Sequence, residues 1–146
     1  MNKVLLATDG SGNSIKAAEY AANLFKNQPD VTVVVLTVIP QDRDLGMFEL
    51  HIPEEEKDFL QVKSNEKAQS ILNQTAKPLE RVGVSVEKIA KVGVPGETIA
   101  DTAQDIFAEQ IIMGTRGHTF LKGLFLGSVA MRVLQLTKLP LTLVKE

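Results

Sequence analysis

Short apolar runs alternate along the chain with segments whose apolar residues recur at helical spacing. Residues 3–8 form the first apolar run and end at the polar turn of residues 9–12, which is typical of a buried strand. Residues 15–25 place alanines on one face, so they predict a helix that packs back on a sheet. Residues 31–39 are almost continuously apolar and β-branched, which predicts a parallel strand covered on both faces.

The middle of the chain predicts one long helix. Residues 40–53 are irregular and are interpreted as a surface connection. Pro53 and the three acids that follow it suit a first helical turn, because proline fits there and acids complement the helix dipole. We expect this helix to run through Leu72 and to be bent or ended by Pro78, with a turn at Gly83.

The last part of the chain predicts shorter elements. Residues 84–92 alternate apolar and charged side chains, which is typical of an edge strand. After a turn at residues 93–96, residues 97–107 predict a short helix whose inward side chains are Ile99, Ala103, Ile106 and Phe107. A strand at residues 111–113, a helix with apolar positions 129, 133 and 134, and a final strand at Leu141–Val144 follow.

This alternation predicts a single α/β domain over residues 1–146. Strands separated by helices imply right-handed crossovers, so we expect an open, three-layer, Rossmann-like fold: a five-stranded parallel sheet with helices on both faces. Ligands of such folds bind outside the carboxyl ends of the strands, where the strand order reverses. The loop at residues 9–12, the exit after Val38 and the loop at residues 114–127 should therefore converge on one crevice.

A glycine-rich motif connects the fourth predicted strand to the helix that follows it. Gly114 is followed after two residues by Gly117, and after nine more by Gly127-Ser128. A helix start leaves backbone N–H groups unpaired and carries partial positive charge, so it stabilises an anion. The glycines let a ligand approach the backbone, and the Ser128 hydroxyl can cap the helix or bind a phosphate oxygen. A P-loop is disfavoured because Lys122-Gly123 has the required order reversed and comes too early.

The motif resembles the nucleotide-binding signature of the universal stress protein family, in its ATP-binding branch, and fills each fixed position of that signature. The likeness extends to the strand ends Thr8-Asp9-Gly10-Ser11 and Leu36-Thr37-Val38. It implies the strand order 3-2-1-4-5, with adenine and ribose at the first two strand ends and phosphates at the start of the last helix. The resemblance assigns no catalytic residue and no protein ligand to a metal. The residues that it assigns to the nucleotide are Ala7, Thr8, Asp9, Val38, Met113, Gly114, Arg116, Gly117, Gly127, Ser128 and Val129.

Composition narrows the class of protein. The 146 residues are 44% hydrophobic and 23% charged, which indicates a globular chain. A formal net charge of −2 argues against nucleic acid as the main partner. The sequence has no cysteine, so disulfides and cysteine-ligated metals are excluded. The first apolar run is shorter than a signal-peptide core and no segment approaches membrane-spanning length, so we expect a soluble, cytoplasmic protein without a membrane partner.

These patterns favour a regulatory, stress-response protein that holds ATP with Mg²⁺ or Mn²⁺ and hydrolyses it slowly or not at all. Asp9 is the acid placed to flank the crevice, and no obvious catalytic base stands near the phosphate motif. Three alternatives are an ATP-consuming transferase, ligase or hydrolase of the same fold, a dinucleotide-dependent oxidoreductase, and a nucleotide-free dimeric interaction module. The oxidoreductase is disfavoured because Ile15 stands where Gly10-Ser11-Gly12 would need a third glycine. We expect a homodimer formed through the apolar edge strand Leu141–Val144.

Overall fold

Strands and helices alternate through the whole of the described chain. The computed structural model describes residues 2–40, 54–115 and 126–145, and within the second range it describes side chains from residue 62 onward. The elements in these ranges are β1 (Asn2–Ala7), α1 (Gly12–Phe25), β2 (Val31–Pro40), α2 (Glu54–Arg81), β3 (Ser85–Gly93), α3 (Pro95–Asp105), β4 (Gln110–Gly114), α4 (Ser128–Leu136) and β5 (Leu141–Val144).

The strands form one parallel sheet in the order β3-β2-β1-β4-β5. This confirms the predicted fold class and strand order, and it confirms that β3 and β5 are edge strands. Successive strands move outward from β1 on one side as far as β3, and the chain then crosses to β4 on the other side of β1. The strand order therefore reverses between β1 and β4, which puts the switch point at the carboxyl ends of these two strands.

Each face of the sheet has its own apolar core. On one face, Leu6, Val33 and Ile112 pack with the alanines of α1 and with α2. On the other face, Leu5, Val34 and Ile111 pack with α3 and α4. The central strands β1, β2 and β4 are thus covered on both sides, which explains why their sequences are continuously apolar rather than alternating.

Helix α2 is the longest, at 28 residues, and it continues through Pro78 to Arg81. Pro78 therefore does not end it. Leu79, which follows the proline, is fully buried, and its carbonyl accepts a hydrogen bond from the Val84 amide at 3.0 Å. Burial of this leucine offsets part of the cost of a proline inside a helix. Across the described ranges, no helix is both long and apolar enough to cross a membrane.

Helix α3 lies two residues earlier than the sequence predicts. Pro95 and Gly96, expected in a turn, are its first residues, and it ends at Asp105. The prediction that Phe107 faces inward is wrong, because its side chain is 88% exposed and its φ is 58°. The amide of Ala108 donates to the Ala103 carbonyl at 2.9 Å, so the chain turns left-handed at Phe107 and buries Ala108 instead.

Candidate functional site

Three of the predicted site residues meet at the carboxyl edge of the sheet, on the face covered by α3 and α4. Ala7 ends β1 and pairs with Leu36 of β2, and the next amide, that of Thr8, donates to the Leu36 carbonyl at 2.9 Å. Val38 lies two residues further along β2 and packs on the same core as Ala7 and Met113. Ala7 and Met113 are 4% and 6% exposed, and Val38 is half-buried. The three side chains together form an apolar surface at this edge, which we call the apolar floor.

Helix α4 begins beside the end of β4. The Gly127 amide donates to the Thr115 carbonyl at 2.8 Å, and the Gly127 carbonyl accepts from Met131 at 3.0 Å. Gly127 is thus the N-cap and Ser128 is the first helical residue. Among the described residues no side chain caps this helix, and its first turn contains no acid. Ser128 therefore does not take the capping role that its sequence position allowed, and its side chain is exposed.

Asp9 is held by the start of α1. Its Oδ1 accepts hydrogen bonds from the Ser11 amide at 2.9 Å and the Ser14 hydroxyl at 2.8 Å. Its own amide donates to Ser14 Oγ at 3.2 Å, and Ser11 Oγ accepts from the Ser14 amide at 3.4 Å. Gly10, between Asp9 and Ser11, has a φ of 81°, which favours glycine. The carboxylate is therefore fixed in orientation at the switch point.

The Thr8 hydroxyl is turned toward α2. It lies 2.8 Å from the Thr75 hydroxyl in a buried contact, and it accepts a hydrogen bond from the Gly10 amide at 3.1 Å. Both threonine side chains are almost fully buried. Because its hydroxyl already has these two partners, a contact between Thr8 and a nucleotide would use the backbone.

Gly114 is where the end of β4 meets the start of α1. A Cβ added to Gly114 would lie 2.7 Å from Asn13 Cβ and 3.0 Å from the Asn13 carbonyl carbon. Asn13 is itself 6% exposed. Glycine at this position thus lets α1 approach β4, which is a packing reason for the glycine besides access of a ligand.

The structure brings nine of the eleven predicted site residues to this edge: Ala7, Thr8, Asp9, Val38, Met113, Gly114, Gly127, Ser128 and Val129. Arg116 and Gly117 lie outside the described residues. The binding role of all eleven stays a prediction. The sequence analysis missed Asn13, Ser14, Thr75 and Thr115, which hold the loops in place. Of these, Ser14 has its partner close in sequence, the N-cap Ser11, but it gave no sequence signal, because a capping box has Glu or Gln at that position.

The fold and the strand ends match a known family. The model of the universal stress protein family matches residues 1–145. The chain belongs to the universal stress protein family. A relative within it, universal stress protein MJ0531 from Methanocaldococcus jannaschii, is 33% identical over 145 residues, which cover 99% of this chain and 82% of the relative.

Solved structures agree with this membership. The structure of the hypothetical protein MJ0577, from the same archaeon, superposes on this universal stress protein with a TM-score of 0.84. It is 32% identical and the match covers 99% of this chain and 96% of that one. A universal stress protein in complex with cAMP and an Arabidopsis thaliana family member with AMP bound give TM-scores of 0.71 and 0.72. At 21% and 19% identity over 98% and 100% of this chain, they show the shared fold.

Proposed function

We propose that this protein binds an adenine nucleotide at the carboxyl edge of its sheet, with the phosphates at the start of α4. The observation that carries the proposal is the backbone there: Gly127 is the N-cap, and among the described residues no side chain caps the helix. The first N–H groups of the helix therefore point outward with the positive end of the dipole, which is an arrangement that binds phosphate.

The apolar floor supports a flat base as the other half of the ligand. Ala7, Val38 and Met113 share one core at the ends of three adjacent strands. A base resting on this floor places its sugar near Asp9, whose carboxylate is held by two hydrogen bonds and is suited to accept one from a ribose hydroxyl. The choice of adenine comes from the family members solved with cAMP and AMP.

The free energy that micromolar binding requires favours a polyphosphate that binds together with a cation. A helix start contributes about 0.3–1 kcal/mol, and ~2 kcal/mol when partly buried, whereas micromolar binding needs about 8 kcal/mol. Several charge-assisted hydrogen bonds and a divalent cation would supply the difference. Among the side chains that the structure describes, no three of His, Cys, Asp or Glu are grouped so that they could hold a metal ion. ATP would thus bring Mg²⁺ or Mn²⁺ on its own phosphate oxygens, with water completing the coordination.

The expected role is regulatory, with slow hydrolysis or none. At the carboxyl ends of β1 and β4, Asp9 is the acid among the described residues, and Oδ1 of Asp9 accepts from Ser11 and Ser14. A carboxylate held in this way is suited to orienting a ligand rather than to taking a proton from water. The rival proposal, an ATP-consuming transferase, ligase or hydrolase, predicts turnover that rises when an acceptor substrate is added.

The first test is to denature freshly purified protein, identify any released nucleotide by mass spectrometry, and titrate the emptied protein with ATP and Mg²⁺ by calorimetry. We expect released adenine nucleotide or micromolar ATP binding. Gly127→Val puts a branched side chain at the cap and should abolish binding while leaving the circular dichroism spectrum unchanged. No released nucleotide and no binding heat would contradict the proposal, and unaltered ATP affinity in Gly127→Val would contradict the placement of the phosphates.

We also propose that two copies pair through β5. This strand lies at the sheet edge, is paired with β4 on one side, and has four half-buried residues. On helix α4, Met131 and Leu134 are 41% and 49% exposed, although the sequence pattern grouped Leu134 with the apolar positions 129 and 133. An apolar strand at a sheet edge favours pairing with a second copy, and exposed apolar side chains elsewhere on the surface add apolar area that pairing could bury. Sedimentation at micromolar concentration should give about twice the 15.9 kDa of one chain, and a monomer would contradict pairing.

A further inference from the structure

Helices α3 and α4 approach each other closely at Gly96. This residue lies in the first turn of α3, and it is buried. A Cβ added to Gly96 would lie 2.5 Å from Cγ and 2.6 Å from Cβ of Arg132, with the Arg132 carbonyl carbon at 3.8 Å. Carbon atoms pack at about 3.5–4.0 Å, so any side chain at position 96 would force the two helices apart by on the order of 1 Å. Arg132 Cβ is fixed to the helix backbone and cannot rotate out of the way.

A charge pair joins the same two helices. Arg132 Nε donates to Glu97 Oε1 at 2.6 Å, and a second nitrogen of the guanidinium lies 3.4 Å from Gln135 Oε1. The side chains of Arg132 and Glu97 are 48% and 38% exposed. Glu97 lies in the first turn of α3, where an acid complements the dipole of its own helix. The pair therefore places an arginine of α4 against the start of α3.

We propose that Gly96, Glu97 and Arg132 are positioning residues that set the location of the start of α4, and through it the affinity for the phosphate part of the ligand. This inference rests on the proposed nucleotide site. Arg132 is four residues from Ser128, which is about one turn or ~6 Å along the helix. Helix α4 has nine residues, so a displacement of its second turn moves its first turn as well.

The start of α4 is thereby held at two points. The Gly127 amide is tied to the Thr115 carbonyl at the end of β4, and the second turn is tied to α3 at Gly96. Hydrogen bonds to phosphate need donor–acceptor distances of about 2.7–3.1 Å. A shift of α4 by on the order of 1 Å exceeds that tolerance, so it would weaken phosphate binding and leave the apolar floor under the base in place.

The charge pair adds an electrostatic part to the same role. The Arg132 guanidinium compensates the Glu97 carboxylate on the side of α3 that contacts α4. Without Arg132 less of this negative charge would be compensated, so the carboxylate would repel a polyphosphate bound at the start of α4 more strongly. Because both side chains are partly exposed, the repulsion would be modest and screened by salt. It would also act on ATP more than on uncharged adenosine.

The main experiment measures the affinities of the full chain for ATP with Mg²⁺ and for adenosine by calorimetry. In Gly96→Ala the affinity for ATP should fall by about 10-fold to 100-fold, whereas that for adenosine should stay within about two-fold. The matched control is Gly83→Ala. Gly83 has a φ of 79° and open space around it, so this variant is strained at a point that does not contact α4. It should keep both affinities.

A second pair of variants tests the same role without a steric clash. Arg132→Met keeps the apolar stem, and at low salt it should lower ATP affinity about two- to five-fold, with adenosine unchanged. At high salt that loss should shrink. The double variant Arg132→Met/Glu97→Gln removes both charges and should recover most of the ATP affinity.

The results separate this inference from the proposed function. Folded Gly96→Ala that binds ATP as tightly as the wild type would overturn the positioning role, and so would equal losses for ATP and adenosine. If Gly96→Ala does not fold, the double variant decides, because failure to recover ATP affinity would overturn the role. A wild-type chain that binds neither ligand would instead overturn the nucleotide site itself, and the positioning role with it.

Discussion

Two helix starts lie at the same edge of the sheet and are built from similar residues, yet they differ in their hydrogen bonding. Helix α1 follows Gly10-Ser11 and helix α4 follows Gly127, with Ser128 next in sequence. In α1 the serine is the N-cap and accepts from the Ser14 amide. In α4 the glycine is the N-cap, the serine is the first helical residue, and among the described residues no side-chain cap is made. A shift of one position separates a satisfied helix start from one that can bind an anion.

The third helix start at this edge clarifies the comparison. Helix α3 also has no side-chain cap, since its N-cap is Val94. However, Pro95 at its first position has no N–H to offer, and Glu97 supplies negative charge to the first turn. Of the three starts, α1 is capped by its own serine and α3 is balanced by its own acid. Helix α4 has neither, so of these three starts it is the one at which an external phosphate gains most.

Among the variants that test this comparison, the largest effect should come from giving α4 a side-chain cap, as α1 has. Gly127 has φ −63° and ψ 160°, which any residue can adopt, so Gly127→Asp should place a carboxylate on the amides of the first turn. Loss of two charge-assisted hydrogen bonds to phosphate costs about 3 kcal/mol, or on the order of 100-fold in ATP affinity. The midpoint of thermal unfolding should not fall, because the new cap stabilises the helix.

Gly127→Asn is the matched control for charge. Asparagine caps a helix about as well as aspartate, but it does not repel phosphate. Calorimetry should therefore give an intermediate ATP affinity for Gly127→Asn. Equal ATP affinities for Gly127→Asp and the wild type would mean that the phosphates do not lie on α4, and the contrast between the two helix starts would lose its functional meaning.

A smaller effect is expected where α1 meets the end of β4. In Gly114→Ala the new Cβ would fall 2.7 Å from Asn13 Cβ and 3.0 Å from its backbone. Overpacking against backbone should lower the free energy of unfolding by about 1–3 kcal/mol, which urea denaturation measures. An unchanged free energy of unfolding would mean that α1 does not depend on the glycine, and that Gly114 serves the ligand alone.

The comparison also explains what could be read from the sequence and what could not. The strand order came from the resemblance to the family, and the sheet order confirmed it. The helix layers came from periodicity, and the two apolar cores on the faces of the sheet confirmed them. The buried contact between Thr8 and Thr75 spans 67 positions, so no local pattern could reveal it. Whether Ser128 caps α4 depends on the residue at which the helix begins, and a difference of one residue decides it. That start is fixed by the bond between the Gly127 amide and the Thr115 carbonyl, which is a tertiary contact.

Phe107 illustrates the same limit at the other end of the sheet. Helical spacing places it with Ile99 and Ala103, but α3 ends at Asp105 and the chain turns left-handed at Phe107. Glycine is the residue that usually signals such a turn, and here it is absent. Periodicity therefore predicts which face of a helix is buried, and it fails where the helix ends without its usual residue.

The smallest effects should come from removing one hydroxyl at each helix start. Ser11→Ala removes the N-cap of α1 and should cost about 1 kcal/mol of unfolding free energy. Ser128→Ala removes a hydroxyl at the first helical position of α4, where alanine is a better helix former, so stability should change by no more than about 0.5 kcal/mol. Urea denaturation of the two variants under identical conditions gives both values.

Nucleotide affinity should reverse that order. If the Ser128 hydroxyl donates to a phosphate oxygen, its loss should weaken ATP binding by roughly 0.5–1.5 kcal/mol, or about two- to twelve-fold. Ser11→Ala should weaken it less, because the Ser11 hydroxyl accepts from the Ser14 amide at the start of α1 rather than contacting the ligand. The double variant should show additive losses of stability, since the two hydroxyls share no partner. A Ser11→Ala protein that loses more ATP affinity than Ser128→Ala would shift the phosphate site from α4 to α1, because the two helix starts would then have exchanged roles.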